Sequence, residues 1–435
     1  MQPGTPPRAD LDSSLAVATF DSAWSRIRVS YYDSTFRGVD WARIRTELRP
    51  RAAAIRRSAD LRKLLEEMFA PLGESHFAVI PGDAVAQVQK REEPEGDPGD
   101  VGIELRFVDG IPLVSRVEPG SAAAAAGIRT GWRLDRIDGT DVDSLVGARR
   151  AAAPRRERSS VALETAMSIM ARTQGAVGST VRLALTDGAR RRRVFTVVRR
   201  TSLGVPVRYG HLPPQLARLE SDRLPGAEGC VGVIRFNTWM TPLTPHFDAA
   251  MDELRDCRGI VLDLRGNLGG LAAMVMGVGG HFLDSAVSLG TSRSRASVAR
   301  YVVNPRRVGV RGQPVSPFAG PMAILVDGLS ASTSEIFAAG MQSVGRARVF
   351  GETTAGRALP STLTRLPNGD VMQHVVFDFV GARGERIEGR GVVPDVPLPL
   401  HRDDLLAGRD AALAAALRWI DAAGAPATAA SLSHR

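Results

Sequence analysis

Three short, mostly apolar runs, 231–236, 259–264 and 322–326, are each followed by a stretch with helical spacing. Runs of five or six residues without a clean polar face fit strands covered on both sides, as parallel sheets are. The order that follows is strand 231–236, helix near 246–255, strand 259–264, helix near 270–280, strand 322–326 and helix 334–344. That alternation predicts a mainly parallel α/β core over 205–400. Within it, 283–320, with Arg293, Arg295, Arg300 and its Gly/Pro breaks, reads as a loop or hairpin inserted near the site. Pro367-Asn-Gly-Asp370 signals a second hairpin.

Parallel sheets place ligands at the carboxyl ends of their strands, and two of these ends carry chemistry. Leu262-Asp-Leu-Arg-Gly-Asn-Leu-Gly-Gly270 leaves a buried strand through a glycine-rich turn. Glycines let a backbone turn its N–H groups toward a substrate oxygen, so this is a candidate oxyanion loop. Phosphate cradling is the rival, but the loop lacks the GxxxxGK[ST] lysine and the GxGxxG spacing. Gly328-Leu-Ser-Ala-Ser-Thr-Ser-Glu335 follows the strand 322–326 and leads into a helix. A serine at such a turn exposes its hydroxyl beside free helix N–H groups, which suits a nucleophile. The same position also suits a plain helix cap, and the segment alone leaves both readings open.

A chain of 435 residues is too long for one core. The stretch 14–90 reads as helical, with apolar faces at Phe20–Ile27, Trp41–Leu48 and Leu61–Phe69, and switches to strand after Ser75-His76. Gln89–Asp100, charged and with Gly and Pro, reads as a linker. The stretch 98–202 turns to short strands, a helix at 120–127 and a later helix at 162–171. In 401–435, Asp403–Ala422 forms a terminal amphipathic helix.

The net charge of +9 comes almost wholly from arginine, Lys63 and Lys90 being the only lysines. Arginine runs at 149–150, 155–158 and 190–193 lack any zinc-finger, basic-zipper or aromatic-interleaved pattern, so no nucleic-acid partner is expected. No run approaches the roughly 20 apolar residues of a membrane span. The start, Met1–Arg8, lacks the apolar core of a signal peptide. It fits either a cytoplasmic protein or a mature secreted one. Cys230 and Cys257 each precede a predicted strand; parallel neighbours would bring the sulfurs together, and a disulfide or two free thiols are both open. Neither a metal nor a cofactor is expected.

The order within 98–202 resembles a PDZ domain, a module that takes up peptide C-termini by strand addition. By that resemblance Gly102, Ile103, Glu104 and Leu105 form the carboxylate-receiving loop, although an Ala/Arg-rich insertion at 143–161 departs from the pattern. The strand-loop 262–270, the Ser-Ala-Ser-Thr-Ser-Glu turn and Gly351-Glu-Thr-Thr-Ala-Gly356, in this order after a PDZ-like region, resemble the tail-specific (C-terminal processing) serine peptidases and the related tricorn core peptidases. The resemblance covers about 20–400. It implies a ClpP/crotonase-like βα core with an N-terminal helical segment and an inserted PDZ-like domain. It also implies Ser332 as nucleophile, with Gly269 and Thr333 N–H groups as the oxyanion hole.

The family splits over the base. One branch uses a lysine shortly after Gly-x-x-Thr-x-Gly, where this chain has Arg357. Arginine stays protonated and cannot accept the serine proton, so the Ser–Lys route is closed. The tricorn-like branch uses a histidine next to a serine upstream and a glutamate near the end of the core. Ser75-His76 and Glu388 stand at such places, which implies His76 as general base and Ser75 and Glu388 as its orienting residues. Of the other histidines, His374 is the best substitute.

The resulting expectation is a serine endopeptidase acting on protein or peptide substrates, through their C-terminal tails, without a cofactor. The family's usual role places it in the periplasm or outside the cell, with the cytoplasm as the alternative. The oligomeric state is left open. A non-catalytic peptide or ligand binder on the same fold is the rival function. Acyl-CoA chemistry on the similar crotonase-type core is disfavoured, because it does not call for a Ser/His pair.

Overall fold

The computed structural model describes residues 11–82, 98–152, 158–201, 204–208, 215–227 and 229–423. Most of the expected linker, Lys90, His211, His434 and arginines 155–156 lie outside the described residues.

A six-stranded sheet carries the predicted core. Its order is Leu219–Pro225, Cys230–Phe236, Gly259–Asp263, Met322–Val326, Arg348–Gly351 and Val396–Pro397. The first pair is antiparallel and every later pair parallel. All residues of Gly259–Asp263 and Met322–Val326 are buried, which explains their unbroken apolar sequence. Alternate side chains serve opposite faces. Ile260, Leu262, Met322 and Ile324 join the cluster under helices Thr244–Leu254, Met274–Gly279 and Thr333–Ser343. Val261, Ala323 and Leu325 pack on the other face against Ala412, Ala416 and Ile420 of the helix Ala411–Ala423.

The parallel pairing sets Val231 beside Gly259, and just before that register Cys230 and Cys257 are disulfide-bonded. Closing a loop of 27 residues removes unfolded-state entropy equivalent to about 3.5 kcal/mol. The terminal helix departs from expectation: it breaks into Arg402–Leu406 and Ala411–Ala423. Gly408 at φ +66° makes the break, and Leu406 packs closely against Gly131 and Gly188, where an added Cβ would meet its side chain at 2.6 and 2.9 Å. The stretch 283–320 does contain a hairpin, Val287–Arg293 with Val298–Val303.

Helices Ser13–Ser30, Trp41–Ala54 and Ser58–Phe69 build an apolar cluster around Phe20, Ile27, Leu61 and Met68 that also takes in Leu359, Leu366, Met372 and Val375. A short strand pairing adds to that packing. Ala78–Ile80 pairs with Val371–Val375, the second strand of the hairpin signalled by Asn368-Gly369, and this fixes where residues 74–77 lie. Between 98 and 201 a third apolar cluster supports a sheet of order Ile103–Val108, Ile111–Val117, Arg133–Ile137, Thr180–Thr186 and Arg192–Val198. Its helix Arg158–Thr173 sets Leu163 and Ala166 against Leu329, Ala331 and Ala355, directly beside the Ser332 turn.

Candidate active site

Ser332 sits between the strand Met322–Val326 and the helix Thr333–Ser343 with φ 56° and ψ −117°. A non-glycine residue held there is strained, and such strain persists only where the surroundings over-determine it. The supports are visible. Its N–H reaches Arg357 O at 2.8 Å and Glu335 Oε2 at 3.0 Å. The fully buried Glu335 carboxylate also accepts from Arg357 N–H (2.8 Å), Gly356 N–H (2.7 Å) and Thr354 Oγ1 (2.5 Å). Burial pushes this carboxyl up to about 7 against the pull of those donors. At the helix start, the N–H groups of Ser334, Glu335 and Ile336 go to the carbonyls of Ala331 and Ser332, at 3.1, 2.9 and 3.0 Å. Ser332 and Glu335 form a capping box, with the Ser332 hydroxyl beside the Glu335 N–H and the Glu335 carboxylate on the Ser332 N–H, and Thr333 N–H has no acceptor among the described residues.

The glycine turn is pressed against this serine. A Cβ on Gly269, at φ +98°, would fall 2.7 Å from Ser332 Cβ, so only glycine fits. Asn267, wholly buried, laces the two turns together. Its carbonyl accepts from Ala331 N–H and Ser334 Oγ, both at 3.0 Å, and its Nδ2 donates to Phe236 O at 2.8 Å. Its Oδ1 accepts Gly269 N–H at 3.0 Å, so one of the two expected oxyanion donors is engaged. Asp327 adds a second tie, accepting from Gly266 N–H (2.9 Å) and Leu329 N–H (3.0 Å) while Arg106 donates to its other oxygen.

On the other side, Ser75 Oγ lies 2.7 Å from His76 Nδ1, and Ser75 N–H donates to Glu388 Oε1 at 2.7 Å. Glu388 Oε2 accepts Ala358 N–H at 2.9 Å. The neighbouring residue 357 binds Ser332 N–H, so consecutive residues bridge the serine and the glutamate. His76 is buried and also has positive φ, 61°. Burial, reinforced by the Arg357 charge, lowers its pKa from 6.5 to about 3, which keeps the imidazole neutral at working pH. Burial raises the Glu388 carboxyl, opposed by the Ser75 and Ala358 donors. No hydrogen bond joins Ser332 Oγ to the His76 ring among the described residues. In free enzymes such contacts are often long and tighten with substrate.

The remaining expected site residues lie apart from this arrangement. Gly102 N–H is taken by Asp100 Oδ1 at 2.8 Å, and Ile103 and Leu105 are buried in their own sheet's core. Glu104 is bound by Arg235 at 2.6 Å; burial works to raise its carboxyl, but Arg235, Arg106 and Arg116 outweigh that and hold it down at about 2. His374 lies between Ser30 Oγ (3.2 Å) and Thr364 Oγ1 (3.1 Å), both ring nitrogens engaged, and so is not a substitute base. Cys230, Asp256 and Cys257 lie close enough for a metal, but both sulfurs are in the disulfide. Sequence reasoning passed over Asn267, Glu335 and Glu74. The first two stood inside quoted motifs but without roles. Glu74 gave no signal beyond its place next to Ser75.

Residues 230–398 match the profile of peptidase family S41, and residues 18–70 match the tricorn protease C1 domain. A carboxyl-terminal-processing protease of Picosynechococcus is 28% identical over 386 residues, 87% of this chain and 82% of that protein. The chloroplastic carboxyl-terminal-processing peptidase 2 of Arabidopsis thaliana is 27% identical over 416 residues, 89% and 73% of the two chains. Among solved structures, a photosystem II D1 C-terminal processing protease superposes with a TM-score of 0.58 at 23% identity, covering 94% of this chain and 98% of that one.

Proposed function

We propose that this chain, a serine peptidase of the C-terminal processing family S41, hydrolyses peptide bonds with Ser332 as nucleophile and His76 as its base. Neutral His76 Nε2 takes the Ser332 proton as Oγ bonds to the substrate carbonyl carbon. The C–N bond then breaks, and the imidazolium returns that proton to the leaving amine. Water, activated by the same histidine, releases the acyl group from Ser332. Ser75 Oγ, at 2.7 Å from Nδ1, fixes the ring; Glu388 holds Ser75 and favours the imidazolium that forms. Thr333 N–H supplies one oxyanion donor, and Gly269 N–H supplies the other once Asn267 Oδ1 releases it. The Glu388–Ser75–His76 chain carries this reading. It assembles a base for Ser332 where arginine has replaced the lysine alternative.

We further assign 14–90 as a helical region bearing the base, 98–202 as a PDZ-like module, 205–400 as a ClpP/crotonase-like core and 401–435 as a C-terminal helix and tail. The PDZ-like module binds or gates substrate tails from its place against the Ser332 turn. The disulfide supports an extracytoplasmic location, where such bonds persist. No helix among the described residues is long and apolar enough to cross a membrane.

The test is cleavage of a panel of unstructured peptides with free or amidated C-termini, followed by mass spectrometry. Cleavage lost in Ser332→Ala and slowed by amidation is the expected outcome. Intact peptides throughout would leave the chain a binder, and equal rates for amidated peptides would remove the tail preference.

A further inference from the structure

Glu74 lies two residues before His76, and its side chain is wholly out of solvent. An ionised carboxylate offers only acceptor sites, about four in all. Four donors meet it here: Tyr31 Oη on Oε2 at 2.5 Å, and Tyr32 Oη, Arg37 Nη1 and Arg386 Nη2 on Oε1 at 2.5, 2.6 and 2.7 Å. They come from three separate places. Tyr31 and Tyr32 end the helix Ser13–Ser30, Arg37 sits in the following turn, and Arg386 stands two residues before Glu388.

The arrangement holds the His76 turn from both sides. Glu74 is fastened to Arg386, and the next residue, Ser75, is fastened to Glu388 through its N–H. Residues 74–75 are thus laced to 386–388 by two contacts, and Arg386 is itself anchored on Asp378 at 3.1 Å. The next residue is His76, at φ 61°. A side-chain-bearing residue stays in that region only when its neighbours leave no alternative. Two cations beside one carboxylate offset the cost of burying it, and the buried Tyr31 hydroxyl finds its acceptor there.

We infer that Glu74 is a positioning residue for catalysis, gathering Tyr31, Tyr32, Arg37 and Arg386 into a knot that sets the His76 turn against the Glu388 loop. It touches neither substrate nor the reacting atoms. It acts by fixing the backbone from which the imidazole projects, and this rests on His76 being the base. Beside the apolar packing that the helical region shares with Leu359, Leu366, Met372 and Val375, one carboxylate ties helix, turn and core loop together.

The experiment compares Glu74→Gln, Glu74→Asp, Tyr32→Phe and His76→Ala in the full chain, reading kcat, KM and Tm with a peptide that the parent protein cleaves. Glu74→Gln is expected to lower kcat at least tenfold with KM within twofold, assayed well below its Tm. Glu74→Asp is expected to recover part of that loss, and Tyr32→Phe to lower kcat by a few-fold. Should Glu74→Gln not fold, Tyr32→Phe and Glu74→Asp decide, because a purely structural knot would lower Tm in them and leave kcat unchanged. A folded Glu74→Gln with parental kcat overturns the inference, as do parental kcat values in those two variants. If His76→Ala itself retains parental kcat, the assignment of the base has failed instead, and the two failures are told apart.

Discussion

The turn that carries Ser332 runs straight from a buried strand into a helix and is braced by two loops of the same core, at 267–270 and 354–357, whereas the turn that carries His76 is fixed by residues of the core more than 300 positions away. Around Ser332, a buried strand, a six-residue turn and a helix follow one another in sequence, with Glu335 three positions on reaching back to the serine N–H. Around His76, the partners that decide the geometry are Glu388, 313 residues from Ser75, and Arg386, 312 residues from Glu74. Both residues end in strained positive-φ conformations. One is imposed by a strand-to-helix corner and the other by a polar knot. Ser332 is therefore held by the fold of the core, and His76 by how the helical region packs onto that core.

That difference is sharpened first by Ser75→Ala, which removes the hydroxyl on His76 Nδ1 without disturbing the Ser332 turn. A loss in kcat on the order of 10²-fold is expected, the lower end of what a positioned proton-transfer partner contributes. Steady-state kinetics with the unchanged Ser332 turn as reference checks it. An unchanged kcat would mean that the ring needs no such partner.

The next effect is in pH. A base must be neutral, and burial with the Arg357 charge lowers the His76 pKa to about 3. The acid limb of kcat/KM, which reports the free enzyme, then lies well below 6.5. At pH 5.5 an unperturbed histidine would be about nine-tenths protonated, costing about tenfold, while this chain is expected to keep most of its activity. Arg357→Ala removes a charge that lowers this pKa and is expected to move the limb upward. A limb near 6.5 in the parent chain would place the working base outside the buried His76 environment.

Part of the serine side is readable in the amino-acid order because strand, turn and helix follow one another: apolar runs of five residues specify buried strands, and Asn368-Gly369 specifies a hairpin. The close approach of Gly269 to Ser332 Cβ and the bonds of Asn267 are long-range and were not. The histidine side was visible only through the resemblance that singled out Ser75, His76 and Glu388. Nothing in the spacing of Tyr31, Tyr32, Arg37, Glu74 and Arg386 announces that they converge, since long-range docking leaves no periodicity. The same reason hid the break at Gly408, where Leu406 packs against Gly131 and Gly188, in turns more than 200 residues earlier. Gly102–Leu105 were legible as a strand start, but their engagement by Asp100 and Arg235 was not.

The smallest expected effect falls on the core side. Cys230→Ala with Cys257→Ala should lower unfolding free energy by about 3.5 kcal/mol in denaturant titrations and leave kcat within twofold, because the bond joins the strand starts at the edge opposite the site. A large loss of kcat in a folded double variant would show that the two ends of the sheet are coupled.

The account stands on Ser332 being activated by a histidine from the docked helical region. The most direct measurement is the rate at which a fluorophosphonate attaches to Ser332, followed by intact-protein and peptide mass spectrometry in the parent, His76→Ala and Arg357→Ala chains. The account predicts a single adduct on Ser332, formed at least about 10³-fold more slowly in His76→Ala and within about tenfold of the parental rate in Arg357→Ala. An adduct elsewhere, or His76→Ala labelling as fast as the parent, would contradict it.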